Sequence, residues 1–371
     1  MIIPVNHPLL NGREKELLGK CIETGWISSD GPFVKEFENK FSSYIGTKYG
    51  ISVCNGTAAL ETAFFAAGVG KGDEVIMPAF TIISCALVAI RLGAVPVLVD
   101  AEPDTWNMDV RQIESRITSK TKAIMAVHIY GHPVDMGPLL AVARRRKIAV
   151  VEDAAEAHGA EYKGKKCGSL GDISAWSFYA NKIITTGEGG MVLTSNLKMA
   201  KRAASYRNLC FLPQRRFYHT ELGYNFRMTN MQAAVGIAQM ERIEEFLKIK
   251  RSLGVYYAKR LSQIDGIKFQ VEKPWAKSVY WMYCIELEKK IGLNAAQMIA
   301  ALAKHGIASR PFFLGLHLQP ALRSLGLFRN QRYPVTERIG KQGLYLPSGM
   351  TLTKTQIDKV ISAIKSIIER H

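Results

Sequence analysis

The 371-residue sequence lacks the long apolar runs that define membrane and secreted proteins. No uncharged apolar stretch approaches the roughly 18 residues that a membrane-spanning helix needs, and the longest, around 79–90, is too short. The first residues have no basic segment followed by a long apolar run, so the sequence predicts no secretory signal. We therefore expect a cytoplasmic protein that has no membrane partner.

The sequence also lacks the clusters that indicate metal or redox chemistry. Its six cysteines are far apart, with no Cys-x-x-Cys pair, which indicates buried free thiols. His128 and His132 have the i, i+4 spacing of two ligands on one helix. However, Gly131 and Pro133 break the helix that this spacing requires, so no metal site is predicted.

Positive charge is what the chain has in excess, with a formal net charge of +17. A basic surface attracts polyanions, which include nucleic acid, acidic membranes and phosphate-bearing metabolites. The basic run Arg144–Lys147 ends a helical pattern, where cations complement the helix dipole. Because no nucleic-acid-binding signature accompanies the charge, we expect no nucleic-acid partner.

Short apolar segments alternate with helical patterns through the first two-thirds of the chain. The predicted strands in this part are Tyr49–Val53, Glu74–Met77, Val95–Val99, Ala123–His128 and Ile148–Asp153. This alternation predicts an α/β fold in which helices flank a mostly parallel sheet.

The pattern changes after a long helix predicted over Met231–Arg251. A strand at Met282–Leu287 and a terminal amphipathic helix at Thr355–Arg370 follow it. We place a domain boundary near residue 248, which gives a large domain over 1–248 and a smaller C-terminal α+β domain over 249–371.

Polar residues follow several of the predicted strands, where ligands gather in parallel sheets. Asn55-Gly56-Thr57 follows a strand and opens a helix, so its N–H groups could bind phosphate, or it could be a plain helix cap. Asp153 ends an apolar strand and could hold a ring nitrogen protonated, or it could cap a buried helix. Ser177 could add a hydroxyl group to a phosphate site.

Lys182 lies between aromatic and aliphatic neighbours and the glycine-rich run Gly187-Glu-Gly-Gly190. Loss of water would lower the pKa of its ammonium group and make it a nucleophile able to form a Schiff base. A lysine in an ordinary loop is the alternative. The order of phosphate loop, aspartate, serine and lysine suits pyridoxal phosphate, which needs a phosphate cradle, an anion at its ring nitrogen and a lysine.

Several motifs resemble those of sugar aminotransferases in the DegT/DnrJ/EryC1/StrS family, over essentially the whole chain. They are Trp26–Ser29, Cys54–Thr57, Gly72–Val75, His128–Gly131, Glu152–Glu156, Ser177–Gly190 and Gly223–Thr229. The resemblance implies a fold-type I enzyme that depends on pyridoxal 5′-phosphate.

Within the family, the segments Asn181–Gly190 and Ser309–Phe313 are most similar to the members that make GDP-perosamine. Those members transfer the amino group of glutamate to C4 of GDP-4-keto-6-deoxy-mannose, and their product is expected in O-antigen biosynthesis. One alternative is the amination of a UDP- or dTDP-linked keto-sugar, or of another ring carbon. A dehydratase of this fold would have histidine in place of Lys182, and a non-catalytic nucleic-acid-binding or regulatory protein would need a vestigial site.

The resemblance also implies roles for individual residues at the cofactor. Lys182 would hold the cofactor covalently and move the proton, and Asp153 would pair with the ring nitrogen. Glu156 would lie near the cofactor hydroxyl group. The expected phosphate contacts are Gly56, Thr57 and Ser177.

Other implied contacts involve the substrate and a second subunit. Asn225 would reach the cofactor phosphate of a neighbouring subunit, which implies a homodimer with shared active sites. Ser28, Ser29 and Arg310 are the expected substrate contacts. Ile82 stands where relatives carry a ring-stacking aromatic residue, and Phe80 is expected to compensate in part.

Overall fold

The central sheet of the protein is built from short apolar strands that are buried along most of their length. The computed structural model describes residues 2–212 and 214–370. The strands of this sheet are β1 (Tyr49–Val53), β2 (Glu74–Pro78), β3 (Val95–Val99), β4 (Thr121–Val127), β5 (Ala149–Asp153), β8 (Ile173–Ser177) and β9 (Gly190–Thr194). Their order is β1-β9-β8-β5-β4-β2-β3, and β9 runs antiparallel to the other six. The predicted α/β class with a mostly parallel sheet is confirmed.

Two smaller sheets accompany the central one. One has the order β10-β12-β14-β13, and the other has the order β11-β6-β7. Their strands are β6 (Glu161–Tyr162), β7 (Lys165–Lys166), β10 (Ile267–Phe269), β11 (Ala276–Lys277), β12 (Tyr283–Leu287), β13 (Arg310–Pro311) and β14 (Gly343–Leu346). Because β11 pairs with β6, residues after 248 also join a sheet formed by earlier residues.

Helices pack against the sheets. The α-helices of the described chain are α1 (Glu14–Thr24), α2 (Pro32–Ile45), α3 (Gly56–Ala66), α4 (Ser84–Arg91), α5 (Met136–Arg146), α6 (Leu197–Tyr206), α7 (Asn230–Met240), α8 (Ile243–Leu261), α9 (Ala295–Lys304), α10 (Pro320–Ser324), α11 (Pro334–Gln342) and α12 (Lys354–Ile368). Side-chain caps begin several of them, including Asn55 on α3 and capping boxes on α7, α9 and α12. No helix in the described ranges is apolar over a length that could cross a bilayer.

The single helix predicted over Met231–Arg251 is wrong, because the chain bends between α7 and α8. Arg242, with φ −119° and ψ 11°, leaves the helical region there. The two halves also pack against different partners: α7 lies on α1 and α2, whereas α8 contacts α12. The hydrophobic pattern continues across the bend, which is why it suggested one helix.

Two of the hydrophobic clusters bear on the division into domains. The larger one surrounds the central sheet and includes later residues such as Trp281 and Phe312. A second cluster joins α8, α9, β12, β14 and α12, and the predicted apolar face of α12 is buried in it. The boundary near residue 248 falls inside α8 and stays a prediction.

Candidate active site

A cavity of about 520 Å³ opens where β4, β5 and β8 end and α3 begins. Most of the predicted cofactor residues line it together: Gly56, Thr57, Ile82, Asp153, Glu156, Ser177 and Lys182. They come from separate parts of the chain and meet because parallel strands present their carboxyl ends at one edge of the sheet.

Lys182 lies in the loop that joins β8 to β9. Its Nζ atom is 3.8 Å from Glu156 Oε1 and 3.8 Å from the centroid of the Trp281 ring. Burial lowers the pKa of Lys182, although the nearby Glu156 and Asp153 carboxylates oppose the shift. This is the direction that its apolar surroundings in the sequence predicted. A lysine with a lowered pKa is more often neutral and therefore more nucleophilic.

Asp153 occupies the carboxyl end of β5, where its carboxylate is buried. One oxygen accepts the Ala155 N–H at 3.1 Å, and the other accepts the Cys85 thiol at 3.4 Å. Burial raises the pKa of Asp153. A cationic ring nitrogen beside this carboxylate would offset that cost, because opposite charges favour each other's ionised forms.

The neighbouring residue Glu152 fixes the carboxyl end of β5 through a buried hydrogen-bond network. Its carboxylate accepts N–H groups of Gly168, Leu170 and Gly171 and lies 2.9 Å from His128 Nε2. Since both Glu152 and His128 are fully buried, this network holds the end of β5 in place.

His128 and His132, at which the sequence predicts no metal site, lie beside other protein groups. His132 Nδ1 lies 3.2 Å from Asn107 and 2.7 Å from the carbonyl oxygen of Pro133. Among the residues that the structure describes, no group of three or more His, Cys, Asp or Glu side chains is arranged to hold a metal ion.

The start of α3 and the end of β8 form a cup suited to a phosphate group. Asn55 Oδ1 caps the helix by accepting the Ala58 N–H at 2.8 Å, which leaves the N–H groups of Gly56 and Thr57 available. A Cβ atom on Gly56 would lie 2.8 Å from Ser177 Cβ, so only glycine permits this approach. The hydroxyl groups of Thr57 and Ser177 line the same cavity, and this donor set fits the cofactor's phosphate.

Near neutral pH, the carboxyl group of Glu156 is protonated to a greater extent than that of an ordinary glutamate. Its Oε2 atom accepts the Tyr130 N–H at 2.7 Å. Burial raises its pKa from 4.5 to about 7, against the attraction of Lys182. The side chain can therefore act as an acceptor or as a donor near neutral pH.

The expectation that Phe80 compensates for Ile82 is wrong. Ile82 lines the cavity and is 44% exposed, whereas Phe80 is 1% exposed and packs against Tyr130, Phe312 and Phe313 in the core.

Sequence reasoning assigned no role to several aromatic and charged residues on the remaining walls. They are Tyr179, Phe226, Trp281, Phe313, Tyr345, Glu61 and Arg91. Trp281, Phe313 and Tyr345 come from the C-terminal part of the chain. Phe313 belongs to the segment Ser309–Phe313, but no local pattern placed any of the three at the cavity, because they reach it through long-range packing.

Four predicted residues do not line this cavity. Asn225 is exposed, and its Oδ1 atom accepts the Arg227 Nε–H at 3.0 Å. Ser28 and Ser29 lie near the start of α7, where the Ser28 carbonyl oxygen accepts the Asn230 N–H. Arg310 is exposed on β13, opposite the cavity residue Tyr345 in β14. Their roles stay predictions.

Comparison with known proteins assigns the chain to a family. The profile of the DegT/DnrJ/EryC1/StrS aminotransferase family matches residues 8–365. The chain is 43% identical over 370 residues to GDP-perosamine synthase of Caulobacter vibrioides, covering 99% of this chain and 98% of the relative. It is 39% identical to GDP-perosamine synthase of Escherichia coli O157:H7, with 98% and 97% covered. Spr1654 of Streptococcus pneumoniae, solved in its PLP form, superposes with a TM-score of 0.92 at 29% identity, covering 100% of this chain and 99% of the other.

The chain belongs to the DegT/DnrJ/EryC1/StrS aminotransferase family. It is an aminotransferase whose cofactor is pyridoxal 5′-phosphate, as the sequence predicted. The phosphate cup, the buried Asp153 and the largely buried side chain of Lys182 fit that cofactor.

Proposed function

We propose that the protein transfers the amino group of L-glutamate to C4 of GDP-4-keto-6-deoxy-D-mannose and so forms GDP-perosamine. The observation that carries this proposal is the full-length similarity, at 43% and 39% identity, to two enzymes named GDP-perosamine synthase. The net charge of +17 also suits a nucleotide-linked substrate and a dicarboxylate donor.

The residues of the cavity have complementary tasks in this proposal. Bound pyridoxal phosphate supplies the aldehyde that exchanges amino groups and the ring that accepts electron density. Gly56, Thr57 and Ser177 hold its phosphate, and Asp153 keeps the ring nitrogen charged. Lys182 would hold the cofactor, and its Nζ atom would then move the proton that the amino transfer requires.

Glu156 is placed to assist the proton transfer by Lys182. The 3.8 Å between Glu156 Oε1 and Lys182 Nζ leaves the lysine close to a carboxyl group with a pKa of about 7. In this proposal the carboxyl group also contacts the cofactor's hydroxyl group. Its protonation state would then respond to that of the lysine.

The substrate is tested by measuring turnover with glutamate on GDP-, UDP- and dTDP-linked keto-sugars. Mass spectrometry and NMR would identify the product, and we expect amination at C4 of the GDP-linked sugar. Preference for a UDP- or dTDP-linked sugar, or amination at another carbon, would refute the proposed substrate. It would leave the aminotransferase assignment intact.

The role of Lys182 is tested by absorbance spectroscopy of the protein loaded with cofactor. Glutamate should change the spectrum of the wild-type protein, and Lys182→Ala should abolish that change. Lys248→Ala removes an exposed lysine of α8 and serves as the control. A wild-type protein that shows no spectral response to glutamate would refute the amino-transfer reaction.

We further propose a homodimer in which Asn225 completes the phosphate site of the partner. Its exposure on the chain surface supports this placement. Mixing unfolded Lys182→Ala and Asn225→Ala chains and refolding them together should restore activity, because one site of each hybrid dimer then has both wild-type residues. Failure to restore activity in verified hybrid dimers would contradict shared sites.

A further inference from the structure

One lysine outside the cavity is buried without an anionic partner. Lys250 of α8 is 3% exposed, and no carboxylate within the described ranges pairs with it. Its Nζ atom donates to the carbonyl oxygens of Trp281, at 2.7 Å, and Ser348, at 2.5 Å. Burial lowers its pKa to about 7, with the Cys284 thiol as the titratable group nearby. A buried cation held only by carbonyl groups is costly, so its retention calls for a physical reason.

One of the two carbonyl groups that accept hydrogen bonds from Lys250 belongs to Trp281, whose ring contacts Lys182. Trp281 places its ring 3.8 Å from Lys182 Nζ, measured to the ring centroid. Its indole Nε1–H donates to the carbonyl oxygen of Asn181 at 2.8 Å, directly before Lys182. Its backbone N–H donates to the Tyr130 carbonyl oxygen at 3.1 Å.

Trp281 is therefore fixed at three points that belong to three parts of the chain. The Tyr130 contact ties it to the loop after β4, the Asn181 contact ties it to the lysine loop, and Lys250 ties it to α8. An aromatic face within this distance attracts an ammonium group and at the same time keeps water from it. The indole thus lies where it can orient the Lys182 amine and keep water from it.

We propose that Lys250 is a positioning residue, which holds Trp281 against Lys182 and so sets the protonation and orientation of the amine that reacts. The inference rests on the proposed role of Lys182, but it concerns groups that are present before any cofactor binds. It can therefore be tested on the cofactor-free protein.

The test measures how pH affects the labelling of Lys182 by an amine-reactive acetylating reagent, read by mass spectrometry of the Lys182 peptide. The midpoint of this profile gives the apparent pKa of Lys182 and is separate from its accessibility. Glu156, Asp153 and His158 are the titratable groups that face Lys182, and they remain in every variant. A change of the midpoint then reports on Trp281.

Two substitutions break the contacts that link Lys250 through Trp281 to Lys182, each at a different residue. Lys250→Met removes both donated hydrogen bonds, and Trp281→Phe keeps a ring but removes the donor to Asn181. Each should admit water to Lys182 and move its midpoint up toward the ordinary lysine value, because burial is the main cause of the lowered pKa. We expect about half a unit to one unit, which corresponds to roughly three- to tenfold less neutral amine near neutral pH.

The double variant and two further variants make the test decisive. Lys250→Met should add little to Trp281→Phe, because both act through one indole. Lys248→Met, on the exposed side of α8, should leave the midpoint unchanged. If Lys250→Met does not fold, Lys250→Gln, whose shorter side chain reaches fewer carbonyl groups, should still raise the midpoint.

An unchanged midpoint in the folded Lys250 variants would overturn the proposal. Additive shifts in the double variant, or an equal shift in Lys248→Met, would overturn it as well. None of these results depends on cofactor loading or on a sugar substrate. They are therefore distinguishable from a failure of the proposed function, which would appear as a missing spectral response to glutamate.

Discussion

Replacing Glu156 by glutamine should stabilise the cofactor-free protein, and the gain should increase with pH. In the folded protein the pKa of Glu156 is about 7, whereas the ordinary value for the unfolded chain is 4.5. A group with a raised folded-state pKa contributes stability that is fully present below the unfolded pKa and is lost as pH rises through the folded pKa. The stability that Glu156 contributes is thus lost between about pH 4.5 and pH 7.

The size of the effect follows from the same shift. Each pKa unit corresponds to about 1.36 kcal/mol, so the full difference gives an upper bound of about 3 kcal/mol above pH 7. Glutamine has no charge to bury, and its amide oxygen can still accept the Tyr130 N–H that Glu156 accepts at 2.7 Å. The raised pKa of Glu156 already includes its attraction to Lys182. The loss of that attraction in the variant therefore needs no separate correction.

The measurement is urea unfolding of cofactor-free wild-type protein and Glu156→Gln across this pH range. The difference in the free energy of unfolding should grow toward high pH in favour of the variant. Glu188→Gln removes an exposed carboxylate from the same cavity and is the matched control. A difference that does not vary with pH, or a less stable variant above pH 7, would refute the reasoning.

Three further predictions concern cofactor binding and turnover. Ile82→Phe should bind pyridoxal phosphate about two- to tenfold more tightly, because ring stacking contributes about 0.5–1.5 kcal/mol; equilibrium titration against Ile82→Leu checks this. Gly56→Ala should weaken cofactor binding at least about tenfold, because its Cβ would lie 2.8 Å from Ser177 Cβ. Gly70→Ala, where an added Cβ meets nothing within 4 Å, should bind normally in the same titration. Asp153→Asn should slow the spectral change with glutamate by about a hundredfold in stopped-flow measurements while cofactor remains bound.

The meeting of the cofactor residues was predictable because strand order determines which residues share a sheet edge. Thr57, Asp153 and Ser177 each follow or end an apolar strand, and the chain order of these residues and Lys182 suited one cofactor. Their individual roles were ambiguous, since a helix cap and a phosphate cup begin with the same residues. The structure leaves room for both roles at once, because Asn55 caps α3 and the next two N–H groups stay available.

The contribution of the C-terminal part was not predictable from local pattern. Trp281, Phe313 and Tyr345 reach the cavity through packing between distant segments. A signal did exist for Lys250, since it falls on the apolar face of α8 among buried residues at helical spacing. A lysine in such a row indicates a buried amine that needs acceptors.

The antiparallel strand β9 has a consequence for how the protein folds. It lies between β1, which leads into the phosphate cup, and β8, which leads into the lysine loop. Val53 pairs with Gly190, so segments far apart along the chain must meet before the cup exists. Pairing over such sequence separation is slow, because loop closure costs entropy before contacts are gained. The phosphate cup can form only after β1, β8 and β9 have paired. The time at which refolding protein begins to bind the cofactor would therefore report the late assembly of the sheet.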